Sequence, residues 1–105
     1  MQLKLSERFV ILQIIPEEGS FATLKIVNDL RLVLSPSEAE FKEFEITQEG
    51  DMLKWNLKGE EEKEIAIGEK AADVIVDALK KLDKDKKLTQ KHFTVYEKFI
   101  KEKSD

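Results

Sequence analysis

Only one side chain type here titrates near neutral pH, and it occurs once, as His92, in a chain that has no cysteine. General base catalysis by imidazole requires a nucleophile for the ring to serve and a third group to orient it. Zinc sites are built from several His and Cys ligands. A single imidazole meets neither requirement. His92 immediately precedes Phe93 in the first turn of an expected last helix, and the spacing predicts an ordinary, half-exposed residue.

The other chemically suggestive patterns also have structural readings. Asp83-Lys84-Asp85 begins like a calcium-binding loop, but the sixth position is Leu88 where the sharp turn needs glycine, and the twelfth is Thr94. Glu60-Glu61-Glu62 places three carboxylates side by side on a turn, where they point apart and repel; a solvated hairpin tip is expected, which also discourages pairing of the neighbouring strand edge. Glycines occur singly, at 19, 50, 59 and 68, without the clustering that lets backbone amides cradle a phosphate. Serines 6, 20, 35 and 37 fall where caps and turns are expected, and none sits in a nucleophile elbow. With 22 acids, no single carboxylate pair stands out for glycoside chemistry. The reading is therefore a protein that is not an enzyme, with no catalytic residue, no metal site and no cofactor.

Charge and aromatic placement point instead to contact with another protein. Residues 38–69 carry eleven acids against four lysines, whereas residues 80–91 carry six lysines against two aspartates. Two electrically distinct ends are expected. The candidate interaction residues are Glu60, Glu61 and Glu62 at the acidic end, Lys84, Lys86, Lys87 and Lys91 at the basic end, and Tyr96 and Phe99 on the last helix. Phe93, Tyr96, Phe99 and Ile100 could form a docking ridge beside the basic turn, although burial as core is the commoner fate of such a stripe.

Helices followed by a hairpin also give the element order of a winged helix, the alternative nucleic-acid-binding reading. The third helix, Ser37 to Glu43, would enter the groove with Glu38, Glu40 and Glu43, which repel phosphate. The lysine segment has no arginine and no aromatic between its lysines.

The elements that must position these residues follow from periodicity. Ser6 is expected to cap a short helix carrying Phe9, Val10, Leu12 and Ile14, ended by Pro16 and Gly19. Residues 20–34 repeat apolar side chains at Leu24, Val27, Leu30 and Leu34, which predicts a second helix, with a hairpin turning at Asn28-Asp29 as the competing arrangement. Leu34-Ser35-Pro36-Ser37 marks a break and a new helix to about Phe44. The period then drops to two, at Phe44 and Ile46, at Leu53, Trp55 and Leu57, and at Ile65 and Ile67. These predict three short strands in an antiparallel meander, with turns at 49–51 and 58–62 and Trp55 on its buried face. Ala71, Ala72, Ile75, Ala78, Leu79 and Leu82 form the clearest helical stripe, and Thr89 can cap a final helix.

The sum is an α+β fold of N-terminal helices, a three-stranded antiparallel meander and two C-terminal helices. It forms a single compact domain over 1–105, with 1–5 and 101–105 expected to fray. A chain of 105 residues can bury roughly 65% of its unfolded surface without disulfides. The longest apolar run, Phe9 to Ile15, is too short to span a bilayer, and the N-terminus lacks a cleavage pattern. Together with the missing cysteines, this predicts an acidic cytoplasmic protein, monomeric or homodimeric. It is read as a small protein-binding, assembly or regulatory module that engages neither membrane nor nucleic acid. One further option in that class is an accessory protein of a phage or mobile element that inhibits a host protein through its acidic surface.

Overall fold

The computed structural model describes residues 1–101. The fold is α+β. Its elements are β1 (Gln2–Leu3), α1 (Leu5–Ile14), α2 (Phe21–Leu34), α3 (Glu38–Glu43), β2 (Thr47–Glu49), β3 (Met52–Lys54), β4 (Lys63–Glu64), α4 (Glu69–Lys84) and α5 (Phe93–Tyr96). One 3₁₀ turn, Leu57–Glu60, precedes β4; another, Gln90–His92, leads into α5, which continues as a π-helical turn over Glu97–Lys101.

α1 is the central helix, packed by α2, α4, α5 and the first 3₁₀ turn. It starts one turn's edge earlier than a Ser6 cap implies, because Glu7 Oε1 accepts the Lys4 backbone N–H at 2.8 Å and satisfies a free helix-end donor. The helix stops where Ile15 turns extended ahead of Pro16. Residues 20–34 form a helix and not a hairpin. Ser20 Oγ accepts from the Thr23 N–H at 3.1 Å, and Val27, Leu30 and Leu34 make one buried stripe against α1 and α4. α3 opens with a reciprocal cap: Ser37 Oγ takes the Glu40 N–H and Glu40 Oε1 takes the Ser37 N–H, both at 3.1 Å.

The strands depart from a single meander. β2 and β3 form the expected hairpin, with Glu49 opposite Met52 and Gly50 in the left-handed region at φ 60°. The chain then leaves the sheet at Trp55, whose indole is half-buried and tilts onto Phe9 with centroids 5.5 Å apart. The 58–62 segment is not a hairpin tip: a 3₁₀ turn takes up Leu57–Glu60 and Glu61 then turns extended. It passes so close to the indole that a Cβ on Gly59 would lie 2.5 Å from Trp55 Cδ1. Asn56 fixes this departure, donating through Nδ2 to the Glu43 carbonyl at 2.9 Å and accepting the Lys58 N–H at 3.1 Å. Leu57, expected on a buried face, is consequently 86% exposed.

β4 therefore pairs with the N-terminus, antiparallel to β1 with Leu3 opposite Lys63. Residues 1–5, expected to fray, are held by this ladder, by the Met1 ammonium on Glu64 at 2.7 Å, and by burial of Leu3 and Leu5. The expected fraying of 101–105 falls, from residue 102 on, outside the described residues.

α4 carries the anticipated stripe, with Ala72, Ile75 and Leu79 innermost. It ends in a Schellman arrangement: the Lys87 N–H reaches Leu82 O at 2.8 Å, the Lys86 N–H reaches Asp83 O at 3.0 Å, and Lys86 takes φ 57°. The core gathers Leu3, Ile11, Leu30, Leu34, Ile75, Leu79, Val95 and Phe99. Among the described residues no helix is long and apolar enough to cross a membrane.

Candidate interaction groove

At the C-terminal end of α1 the chain must turn at Pro16 before α2 begins, and the gap is not refilled by side chains. A groove of about 670 Å³ results, bounded by the end of α1, the first turn of α2, the outer flank of α4 and residues 85–92. Ile14, Pro16, Val74, Ala78 and Leu82 make its floor apolar. Lys81, Lys87 and Lys91 stand on its rim with Asp77 and Asp85. Lys91 Nζ donates to Gln13 Oε1 at 3.1 Å and so ties the rim to α1. Among the described residues Lys81 and Lys87 take part in no ion pair, which leaves their ammonium groups available to a ligand.

His92 separates this groove from a second hollow of about 250 Å³ that includes Leu88, Phe93 and Tyr96. It is buried, 6% exposed, and not half-exposed as its place in the sequence suggests. The reason is a local cap: Nδ1 accepts the Thr89 N–H at 3.0 Å, which draws the ring under the chain and leaves its proton on Nε2. Burial, reinforced by the nearby Lys91 charge, pushes its pKa below the usual histidine value. It serves the 3₁₀ turn as a cap.

The structure places the sequence-derived candidates unevenly. Lys87 and Lys91 line the groove, and Tyr96 lines the second hollow, where its hydroxyl donates to Asp83 Oδ2 at 3.0 Å. That bond, to an anionic acceptor, holds the phenol pKa above its ordinary value. Lys84 and Lys86 are exposed beside the groove at the end of α4. Phe99, on the π-helical turn, is 1% exposed and belongs to the core, while Phe93 on α5 faces out. Glu60, Glu61 and Glu62 are not gathered with the lysines. Glu62 is bound at 2.8 Å by Lys98, which also holds Glu7 near the start of α1, while the groove sits at that helix's far end.

Two buried polar residues escaped the sequence reading. Arg8 is 2% exposed: it binds Glu40 through both terminal nitrogens, at 2.7 and 3.1 Å, and donates to the Leu34 and Ser35 carbonyls at 2.9 and 3.2 Å. It thereby staples the α2–α3 junction to α1. The guanidinium bonds hold Glu40 well below the usual carboxylate range, at about 2. Glu7 is the second. Burial alone would raise its pKa, but the Lys4 N–H and Lys98 together hold it below the ordinary value. A charged pair in a first helical turn is normally solvated, so nothing in the local sequence marks Glu7-Arg8 as interior.

Among the described residues no three His, Asp or Glu side chains gather as a metal-binding set. The arrangement offers an apolar trough with free cations along it, which is suited to binding. The chain matches no family model, no curated protein and no solved structure.

Proposed function

We propose that this chain is a non-enzymatic protein-binding module of the cytoplasm, and that its groove takes an amphipathic, acid-bearing helical segment of a partner protein. The observation that carries the reading is the groove itself. Its floor of Ile14, Pro16, Val74, Ala78 and Leu82 is apolar, Lys81 and Lys87 on its rim have unused ammonium groups, and the hollow beside exposed Phe93 extends it past His92. Helix-in-groove recognition uses this combination, with apolar anchors at i, i+3, i+4 and i+7 and charges along the flanks. Asp77 and Asp85 give the rim a mixed pattern that can fix register and reject wrong partners. The full lysine segment keeps the local balance positive.

The test is a titration followed by amide chemical shifts. The probes are a synthetic amphipathic helical peptide with leucine anchors and glutamate flanks, and its counterpart with lysine flanks. The expected result is saturable binding of the glutamate peptide, with shifts confined to the groove, weakened at least tenfold by Ala78→Glu and by the Lys87→Glu/Lys91→Glu pair. Equal binding of both peptides, or binding untouched by Ala78→Glu, would sink the proposal. Capture from a lysate then identifies the partner, with Ala78→Glu as the control that must lose it.

A further inference from the structure

α2 carries large apolar side chains on two sides, and among the described residues only one side is covered. Val27, Leu30 and Leu34 face the core, while Phe21 is 84% exposed and Leu32 73% exposed. At 100° per residue, positions 21, 25, 28 and 32 fall on one stripe, with Leu24 on one flank and Asp29 on the other. The stripe thus has an exposed apolar side chain at each end, Phe21 and Leu32, with the polar Lys25 and Asn28 between them.

We infer that this stripe is a self-association surface, on which a second copy of the chain packs its own α2 antiparallel about a two-fold axis. The argument is complementarity of the stripe with itself. With Phe21 opposite Leu32 of the second copy, symmetry places Leu32 opposite that copy's Phe21, so both apolar ends are filled at once. The same register sets Lys25 beside Asn28 and Asp29 of the second copy. Lys25 and Asp29 lie on the same flank of the helix, and in an antiparallel pair like flanks meet. The interface therefore gains two Lys25–Asp29 contacts related by the two-fold. A parallel pairing would set Lys25 against Lys25 and align the helix dipoles unfavourably. Both side chains are exposed, and neither takes part in an ion pair among the described residues. From Phe21 to Leu32 the stripe runs about 17 Å, so the area it can bury falls short of the roughly 800 Å² per partner of a stable interface. The dimer is therefore concentration-dependent. This surface lies outside the groove, so the inference stands or falls independently of the proposed function.

The experiment is sedimentation velocity on the full chain from about 5 to about 500 µM, a range that brackets weak association. The variants are Phe21→Glu, Lys25→Asp, Asp29→Lys and the Lys25→Asp/Asp29→Lys double swap, all at exposed positions. The expected result is a monomer–dimer equilibrium for the natural chain and a monomer throughout for Phe21→Glu. Each single charge reversal should weaken the dimer about tenfold, since it affects two symmetric contacts, and the double swap should recover to within about threefold. A natural chain that stays monomeric at the highest concentration overturns the inference, as does a dimer indifferent to Phe21→Glu. A double swap no better than the sum of its single changes overturns the antiparallel register.

Discussion

At the N-terminal end of α1, Glu7 and Arg8 lie inside the protein with their charged atoms engaged, Glu7 by Lys98 and the Lys4 N–H, Arg8 by Glu40 and two carbonyls. At the C-terminal end of the same helix, Lys81 and Lys87 stand over an apolar trough and take part in no ion pair among the described residues. The same residue types do different work because of their surroundings. A buried ion pair that has satisfied its desolvation with extra hydrogen bonds fixes geometry, and removing one partner strands the other. A rim charge in water contributes almost nothing to the fold and is free to serve recognition. Substitutions at the two ends should therefore separate cleanly in stability and binding.

The largest effect is expected at Arg8. Arg8→Ala removes the bidentate partner of Glu40 and the donors to Leu34 and Ser35, leaving the Glu40 carboxylate with only Lys63 and the Ser37 N–H and the two carbonyls without these donors. A loss of about 3–5 kcal/mol is expected by urea unfolding, enough to unfold much of a marginally stable domain at 37 °C. A loss under about 1 kcal/mol would show that the staple is dispensable and that the comparison between the two ends fails.

The acid limb of the stability curve sharpens the same point. Glu40 titrates at about 2 in the fold against 4.5 for an unperturbed glutamate. Its depressed value means that the contribution is complete above pH 4.5 and is lost as pH falls through about 2, because the unfolded chain takes up the proton first. The linked loss is on the order of 3 kcal/mol. It should shrink in Arg8→Ala, where only the Ser37 N–H and Lys63 still favour the Glu40 carboxylate, so stability should fall less steeply between pH 4.5 and 2 by urea titration at each pH.

These residues also mark where the sequence stopped being informative. Helical elements were legible where a stripe met a cap, as at Ser20 with Val27, Leu30 and Leu34. Periodicity of two identified the 49–52 hairpin but could not say which strand the Lys63–Glu64 segment would join. That choice rests on Trp55 stacking on Phe9 and on Gly59 passing beneath the indole, contacts between residues far apart in the chain. Lys87, Lys91 and Tyr96 were found because a run of lysines beside aromatics is visible locally. The groove floor was not, since Ile14 at the end of α1, Pro16 just beyond it and Ala78 on α4 meet only after packing. Phe99 was left between core and docking ridge, because a helical stripe cannot say which of its aromatics turns inward.

A smaller effect tests the C-terminal end of α4 by improving it. Lys86 adopts φ 57° at the position where helices prefer glycine, so a side chain there carries a conformational cost. Lys86→Gly should raise stability by about 0.5–1 kcal/mol, measured as an increase in the urea midpoint at unchanged slope. Because Lys86 lies beside the groove but does not line it, binding of the glutamate-flanked peptide should weaken less than twofold. A destabilised Lys86→Gly would mean that the lysine makes contacts which outweigh its backbone cost.

The smallest expected stability change belongs to Lys87→Glu/Lys91→Glu, the counterpart of Arg8→Ala at the opposite end of α1. Lys87 has no ion pair among the described residues, and Lys91 loses only its exposed bond to Gln13. The melting point should move by an amount equivalent to less than about 0.5 kcal/mol, while affinity for the acid-bearing peptide falls at least tenfold. If the pair instead destabilised the fold as Arg8→Ala does, the rim lysines would be structural and the groove would lose its claim to be a recognition site. If stability and affinity were both unmoved, the groove would bind through its floor alone, and the flanking acids of the partner would have no role in recognition.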